Sequence, residues 1–546
     1  MNLEAQLSDR LATAYATVAG RPVDPAVRRS QHADFQSGAA LQLARDLHRA
    51  PRDIAADVAG RADLAGLATA TVSGPGFINL TVDDQLIAAA VAGPVEIPRA
   101  SQPQTVVIDY SAPNVAKEMH VGHLPSTIIG DAAARLLETL GHDVRRANHL
   151  GDWGTPFGML VEHLHETEPG DDLTAFYQAA RARFDADEEF RTRARLRVVA
   201  LQGGDEQTLA LWRRLVGVSE RHFLAVYAQL GVTLTADDFV GESFYNDMLP
   251  GVVDDLAALG LLRESDGALC AFPAGFTGRD GEPLPLIVRK GDGGFGYAAT
   301  DLAAVRYRAG KLHADRLLYV VGSPQRTHFA MVFAVAREAG WIPPGVSVEH
   351  VAFGSILGAD GKMFRSRAGH SVKLAELLDE AVSRAAALNP DPAVARAIGI
   401  GAIKYANLSS DRLSDYTFDW DRMLALNGNT GPYLQYAYAR IRSIFDKAQD
   451  PRPGPVTLTE PAERALALEL LGFAAVVQSV AQTLEFHRLA GYLYGVAGAF
   501  SAFYESCPVL KAPDDVRMSR LSLCARTAAT LRQGLSLLGI ETPERL

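Results

Sequence analysis

A chain of 546 residues is long enough for several domains, each with its own core. Its 48% apolar and 21% charged content are those of ordinary globular protein, and its net charge of −11 excludes a generic nucleic-acid binder, so any RNA contact has to be local. Three scattered cysteines (Cys270, Cys507, Cys524) make neither a disulfide framework nor a zinc spacing, which points to a reducing cytoplasm.

The opening residues, Met1-Asn2-Leu3-Glu4-Ala5-Gln6, are amphipathic and acidic and lack the basic and apolar regions of a secretory signal. Apolar spacing predicts helices over 3–18 and 39–47 and a strand over 77–82, giving a small α/β unit over residues 1–100 that ends in a Gly/Pro-marked linker. From Thr105 short apolar runs alternate with helical ones. Strands are expected at 106–110, 143–147, 286–288, 316–321 and 348–353, the signature of a doubly wound parallel, Rossmann-like sheet over 101–391. The stretch from about 165 to 285 is too long for one crossover and reads as an insertion. From 392 to 546 the pattern is all helical, with segments expected at 393–408, 434–448, 460–489, 492–505 and 517–538. No uninterrupted apolar run approaches a membrane span, so no membrane partner is expected. Most of the negative charge lies in 101–420, while 421–546 is close to neutral. An acidic middle suits a cationic substrate, although a solvated surface is the simpler explanation.

The most informative stretch is Ser111-Ala112-Pro113-Asn114-Val115-Ala116-Lys117-Glu118-Met119-His120-Val121-Gly122-His123. It sits where the first strand hands over to a helix, and a helix N-terminus offers unpaired N–H groups and partial positive charge to phosphates. Gly122 lets a nucleotide approach the backbone, and the imidazoles of His120 and His123 add donors. Lone His-x-Gly-His patterns are common on surfaces, but the block as a whole resembles the signature of class I aminoacyl-tRNA synthetases. Its upstream Asn114 and Lys117 resemble the arginyl-tRNA synthetase branch. Lys117 is one of only eight lysines, and an ammonium there can neutralise a polyphosphate.

A second constellation runs from Gly354 to Gly369. Glycines flank a cationic segment that can close over a triphosphate. With the histidine motif upstream, it resembles the Lys-Met-Ser-Lys-Ser signature in degenerate form. Anchoring on Lys362-Met363 puts Arg365 at the second lysine, and anchoring on Ser366-Arg367-x-Gly369 shifts the register. A third constellation suits a guanidinium, which needs planar carboxylates and an aromatic face. Tyr297 and Asp301 fall on one face of a helix start, with Asp109 and Gln325 at strand ends nearby.

The blocks Asn148–Thr155, Asn427–Ala437 and Leu537–Arg545, with Gly76-Phe77-Ile78-Asn79, extend the arginyl-tRNA synthetase resemblance over essentially the whole chain. The resemblance implies an arginine–tRNA ligase with three parts: residues 1–100 contacting the tRNA elbow, a catalytic domain over 101–391, and an anticodon-binding bundle over 392–546. By the same resemblance His120, Gly122, His123, Lys362, Met363 and Ser366 bind ATP. Lys117, His120, His123, Lys362, Arg365, Ser366 and Arg367 form the catalytic set. Asp109, Asn114, His123, Tyr297, Asp301 and Gln325 hold L-arginine. ATP with Mg²⁺ and tRNA(Arg) are the expected partners, with no structural metal, and a cytoplasmic monomer is expected.

Pro125 and Pro156 depart from the family pattern, where Arg and Gln are frequent. They leave open a paralogue activating arginine or an analogue for another role, and a non-catalytic tRNA-binding protein is the remaining alternative. Of the aromatics in the helical region (Tyr433, Tyr436, Tyr492, Tyr494, Phe500, Phe503), most are expected in the core and one or two on an RNA-facing surface.

Overall fold

Leu3, Leu7, Leu11 and Tyr15 recur at helical spacing and are all buried on one face of the helix Leu3–Ala19. Asn2 caps that helix, its side-chain oxygen accepting the Ala5 N–H at 3.1 Å. The helix packs on a four-stranded antiparallel sheet ordered Val27–Arg29, Phe35–Ser37, Phe77–Val82, Ala68–Ser73. Ile78, Leu80 and Val82 alternate inward along its third strand. This computed structural model describes residues 2–168, 170, 172–278, 281–358, 360–362, 364, 372–448 and 452–546.

The central sheet is parallel throughout, in the order Ser347–His350, Arg316–Tyr319, Thr105–Asp109, Asp143–Ala147. Val106, Ile108, Leu317 and Leu318 are buried because helices cover both faces of its two middle strands. The helix Leu124–Thr139 presses close to the sheet at Gly130, where a Cβ would come within 2.2 Å of the Tyr110 ring. One expected strand belongs elsewhere. Leu286–Arg289 pairs antiparallel with Ala268–Ala271 in a separate three-stranded sheet completed by Leu262–Ser265. A short apolar run carries no information about its partner, so the sequence could not assign it.

The insertion supplies four helices, Leu173–Ala186, Glu188–Gln202, Glu206–Leu230 and Leu249–Ala258. The third runs behind the first strand's exit loop and shapes the site.

Beyond 392 the chain is mainly a helix bundle: Pro392–Leu408, Gly431–Lys447, Pro461–Leu470, Phe473–Thr483, Phe486–Ser506 and Asp514–Leu537. The expected single helix over 460–489 breaks twice, at Leu471–Gly472 and at Leu484, whose φ is +53°. The expected all-helical character is also interrupted by Tyr416–Thr417, which pairs in parallel with Ile356–Leu357. Contrary to the sequence expectation, one run, Pro461–Thr483, is long and apolar enough to cross a membrane. It comprises two helices whose Leu466, Leu470, Val477 and Val480 are buried in the bundle.

The bundle grips both other parts of the chain. Arg464 reaches Asp34 through two nitrogens at 2.7 and 2.8 Å and Asp84 through a third at 2.6 Å. Lys404, fully buried, donates to the Gly539 carbonyl at 2.7 Å beside Asp131 and Arg135 of the helix Leu124–Thr139, and burial pushes its pKa down to about 8.

Candidate active site

The loop after the first strand holds an unusual backbone. Ser111, Ala112 and Ala116 have φ of +73°, +47° and +61°, a region costly for residues with a Cβ. Each strained amide is held by a side-chain oxygen from a different element. Ser111 N–H donates to Ser126 Oγ, Ala112 N–H to Asn148 Oδ1 and Ala116 N–H to Ser219 Oγ, all at 2.9 Å. Tyr227, on the same inserted helix as Ser219, sits 2.7 Å from Ser111 Oγ and 2.9 Å from Asn148 Nδ2. The insertion therefore fixes the conformation of the signature loop.

The histidine pair forms a single 3-10 turn, Val121–His123, leading into the helix Leu124–Thr139. His120 Nδ1 accepts the Gly122 N–H at 3.1 Å, and His123 Nδ1 accepts the His120 N–H at the same distance. The rings lie 4.1 Å apart. Burial, with the Lys117 charge second, lowers the His120 pKa; burial, with His120 second, lowers that of His123 to about 4. Both are neutral at pH 7. His120 Nδ1 accepts from the backbone, so the proton of that ring resides on Nε2 as a neutral donor, whereas His123 Nδ1 meets both the His120 N–H at 3.1 Å and the His120 carbonyl oxygen at 3.3 Å. A Cβ at Gly122 would lie 2.8 Å from the His120 ring. Pro125 takes the first turn of the helix, where proline costs nothing, and Pro156 begins the helix Pro156–Glu166 in the same manner.

The segment Val372–Leu374 pairs with this turn: Val121 N–H donates to Val372 O and Leu374 N–H to Met119 O, at 3.0 and 2.8 Å. Lys362 lies in a tight turn after Ile356–Leu357, where its N–H donates to Asp360 Oδ1. Phe364 follows, its ring 4.6 Å from Phe418. Met363, Arg365, Ser366 and Arg367 lie outside the described residues.

Asn114 is exposed and bridges to Gly151, where a Cβ would meet its Oδ1. Asp109 is buried with its carboxylate already engaged by Arg308, whose Nη1 lies 2.7 Å from Oδ2. Arg308 is itself buried, stacked over Tyr319 at 5.1 Å. Asp301, two turns earlier on the same helix Tyr297–Gly310, accepts from His328 Nε2 at 2.6 Å. Tyr297 at the helix start is 79% exposed, and Gln325 is exposed in the turn after Arg316–Tyr319. Asp109, Asn114 and Gln325 lie at or just after the carboxyl ends of parallel strands, where open α/β sheets bind ligands, whereas Tyr297 and Asp301 open a helix that follows the separate antiparallel sheet and Asp301 is joined to them through His328 of the helix Arg326–Glu338.

An acidic group that sequence reasoning missed stands in the same crevice. Burial, with Asp152 and Asp301 adding repulsion, raises the Glu242 carboxyl to about 8. Buried Asp152 places it, accepting Ser243 N–H at 2.9 Å and Ser243 Oγ–H at 2.6 Å. Burial and Asp152 also raise Glu220. The Asn148–Thr155 block marked Asp152, but nothing local marks Glu242, some ninety residues further on. The arrangement offers neutral donors and an ammonium on one wall and clustered carboxylates on the other.

Family models of the class I arginyl-tRNA synthetase catalytic domain, the DALR anticodon binding domain and the arginyl-tRNA synthetase N-terminal domain match residues 86–420, 434–546 and 1–82. The arginine–tRNA ligase of Thermobifida fusca is 56% identical over 96% of each chain, and that of Pectobacterium carotovorum is 48% identical over the whole of both. The solved arginyl-tRNA synthetase of Plasmodium falciparum superposes with a TM-score of 0.87 at 29% identity, covering 100% of this chain and 99% of that one. The Thermus thermophilus enzyme gives 0.85 at 26%, covering all of both. The chain belongs to the arginyl-tRNA synthetases, class I enzymes that use ATP to join arginine to tRNA.

Proposed function

We propose that activation and recognition divide between the two walls. ATP phosphates lie over the turn Val121–His123, where the Nε2–H of His120, the His123 imidazole, the helix N-terminus and the Lys117 ammonium meet them. An arginine carboxylate oxygen attacks the α-phosphorus, pyrophosphate leaves, and the adenylate forms. The terminal ribose hydroxyl of tRNA(Arg) then attacks the arginyl carbonyl and AMP leaves. No side chain acts as a covalent nucleophile, so catalysis is positioning and charge stabilisation. Lys362, with Met363, Arg365, Ser366 and Arg367 of the same cationic segment, supplies positive charge to the leaving pyrophosphate. Mg²⁺ enters with ATP. Phosphate oxygens and water carry it.

The guanidinium enters the acidic wall, with Asp301 and Glu242 as its carboxylates and Tyr297 as its aromatic face. Asn114 and Gln325 orient the amino acid's backbone groups together with His123. Asp109, with Arg308 in place, supports that wall from below. Residues 1–100 meet the tRNA elbow. The region from 392 reads the anticodon, with Tyr436 and Tyr494 as the exposed ring surfaces, since Phe500 and Phe503 are in the core. A cytoplasmic monomer suits this reading.

The observation that carries it is the nearness of Glu242 to Asp152, which holds the adjoining Ser243, and to Asp301, which is bound to His328, with both carboxylates adding to burial in raising the Glu242 carboxyl. Arginine-dependent ATP–pyrophosphate exchange tests it. Asp301→Asn and Glu242→Gln should each impair exchange through the arginine KM, and unchanged arginine KM in both would overturn it.

A further inference from the structure

The inserted helix Leu173–Ala186 begins against the signature loop. Its capping residue Asp172 accepts the Ala175 N–H at 2.8 Å, and Thr174 Oγ accepts the Glu118 N–H at 3.3 Å. One turn on, the Tyr177 ring lies beneath the Lys117 ammonium, with Nζ 4.2 Å from the centroid. Lys373 reaches across from the segment paired with His120 and binds Glu118 at 2.7 Å and Asp172 at 3.0 Å.

We propose that Tyr177 is a positioning residue for adenylate formation: its ring holds the Lys117 ammonium toward the phosphate site, and Lys373 keeps that ammonium unpaired by taking the two neighbouring carboxylates. The inference rests on the reading of Lys117 as a phosphate-facing cation. An exposed lysine has a flexible four-carbon stem and samples many rotamers. A ring attracts the ammonium without neutralising it, unlike a carboxylate, so three N–H donors and the full charge remain for the nucleotide. Glu118 follows Lys117 directly and Asp172 opens the helix that carries Tyr177, so both are natural competitors. Lys373 engages both. The ammonium stands close enough to the imidazoles that its charge contributes to lowering His120 and His123. Two of the chain's eight lysines, Lys117 and Lys373, thus meet at this turn.

ATP–pyrophosphate exchange by the full-length enzyme tests the proposal, with a thermal melt of each variant. Tyr177→Leu should lower kcat about three- to tenfold, the range a cation–ring contact supports, with the arginine KM unchanged, and Tyr177→Phe should retain activity. In a Lys117→Ala background Tyr177→Leu should cost nothing further. An independent arm uses Lys373→Met, which frees Glu118 to pair with Lys117 and should slow exchange, and adding Glu118→Gln should restore part of the rate. Equal losses from Tyr177→Leu with and without Lys117 would show that the ring only packs the insertion, overturning the proposal. Parent-like exchange by Tyr177→Leu would do the same. If Lys117→Ala alone is unimpaired, the reading of Lys117 itself falls and the proposal falls with it, a pattern distinct from the other two.

Discussion

The two walls of the crevice use burial in opposite chemical settings and reach a similar state. On the phosphate wall burial strips charge from His120 and His123, leaving neutral imidazoles aimed by the backbone. On the arginine wall burial and mutual repulsion hold Glu242 near pH 8. The first wall is ready before its ligand arrives, because hydrogen-bond donors need no counter-ion. In the proposed reading the second is completed by arginine, because a guanidinium supplies the charge that favours ionisation of the last carboxyl. The proposed reading thus pairs a preformed donor site with a ligand-completed acceptor site.

The difference can be broken from below. Arg308 and Asp109 form a buried ion pair under the arginine wall, and removing one partner of such a pair typically costs about 3–5 kcal/mol. Arg308→Met should lose stability on that scale in denaturant unfolding. If Asp109→Asn instead leaves unfolding unchanged and abolishes arginine binding, Asp109 is a substrate ligand after all. On the phosphate wall, His120→Ala or His123→Ala should slow adenylate formation by about two to three orders of magnitude. Near-parent rates in single-turnover assays of both would remove the donor role. The depressed His123 pKa also has a stability sign. As pH falls below the ordinary histidine value of about 6.5 the unfolded chain takes the proton first, so His123 lowers stability progressively down to about pH 4.

Asp301→Asn sharpens the comparison further. It should reduce kcat/KM for arginine by about two orders of magnitude and narrow the preference over lysine, since a fork of donors loses its charged acceptor. Undiminished discrimination would place the cationic pocket elsewhere. The smallest expected effects lie outside the crevice. Tyr436→Ala or Tyr494→Ala should raise the tRNA KM by about tenfold, within the range of one lost stacking contact, and leave ATP–pyrophosphate exchange untouched.

How legible each wall is in the sequence follows from its construction. The phosphate wall comes from one continuous stretch, 111–123, in which strand end, glycine, histidines and helix start are neighbours, so the whole block carries the family resemblance in one piece although its His-x-Gly-His spacing alone is a common pattern. The arginine wall is assembled from Asp152, Glu242, Asp301 and His328, drawn from four segments that only the parallel sheet and the insertion bring together. Asp301 could be picked out from its spacing to Tyr297, whereas Glu242 has no local periodicity or motif. Asp109 illustrates the converse. Its place at a strand end was readable, but its partner Arg308 lies 199 residues away, so its engagement was not. The strand Leu286–Arg289 and the breaks at Leu471–Gly472 and Leu484 were hidden for the same reason, since tertiary partners rather than local propensity decide them.

The most direct test of the ligand-completed wall is calorimetry of arginine binding at pH 7 in two buffers of different ionisation enthalpy. A carboxyl at about 8 is mostly protonated at pH 7, and a bound guanidinium favours its ionised form. Binding should therefore release close to one proton per arginine, the affinity should strengthen as pH rises toward 8 and level off above it, and Glu242→Gln should abolish both effects. A buffer-independent enthalpy and a flat affinity between pH 6 and 8 in the unaltered enzyme would contradict it.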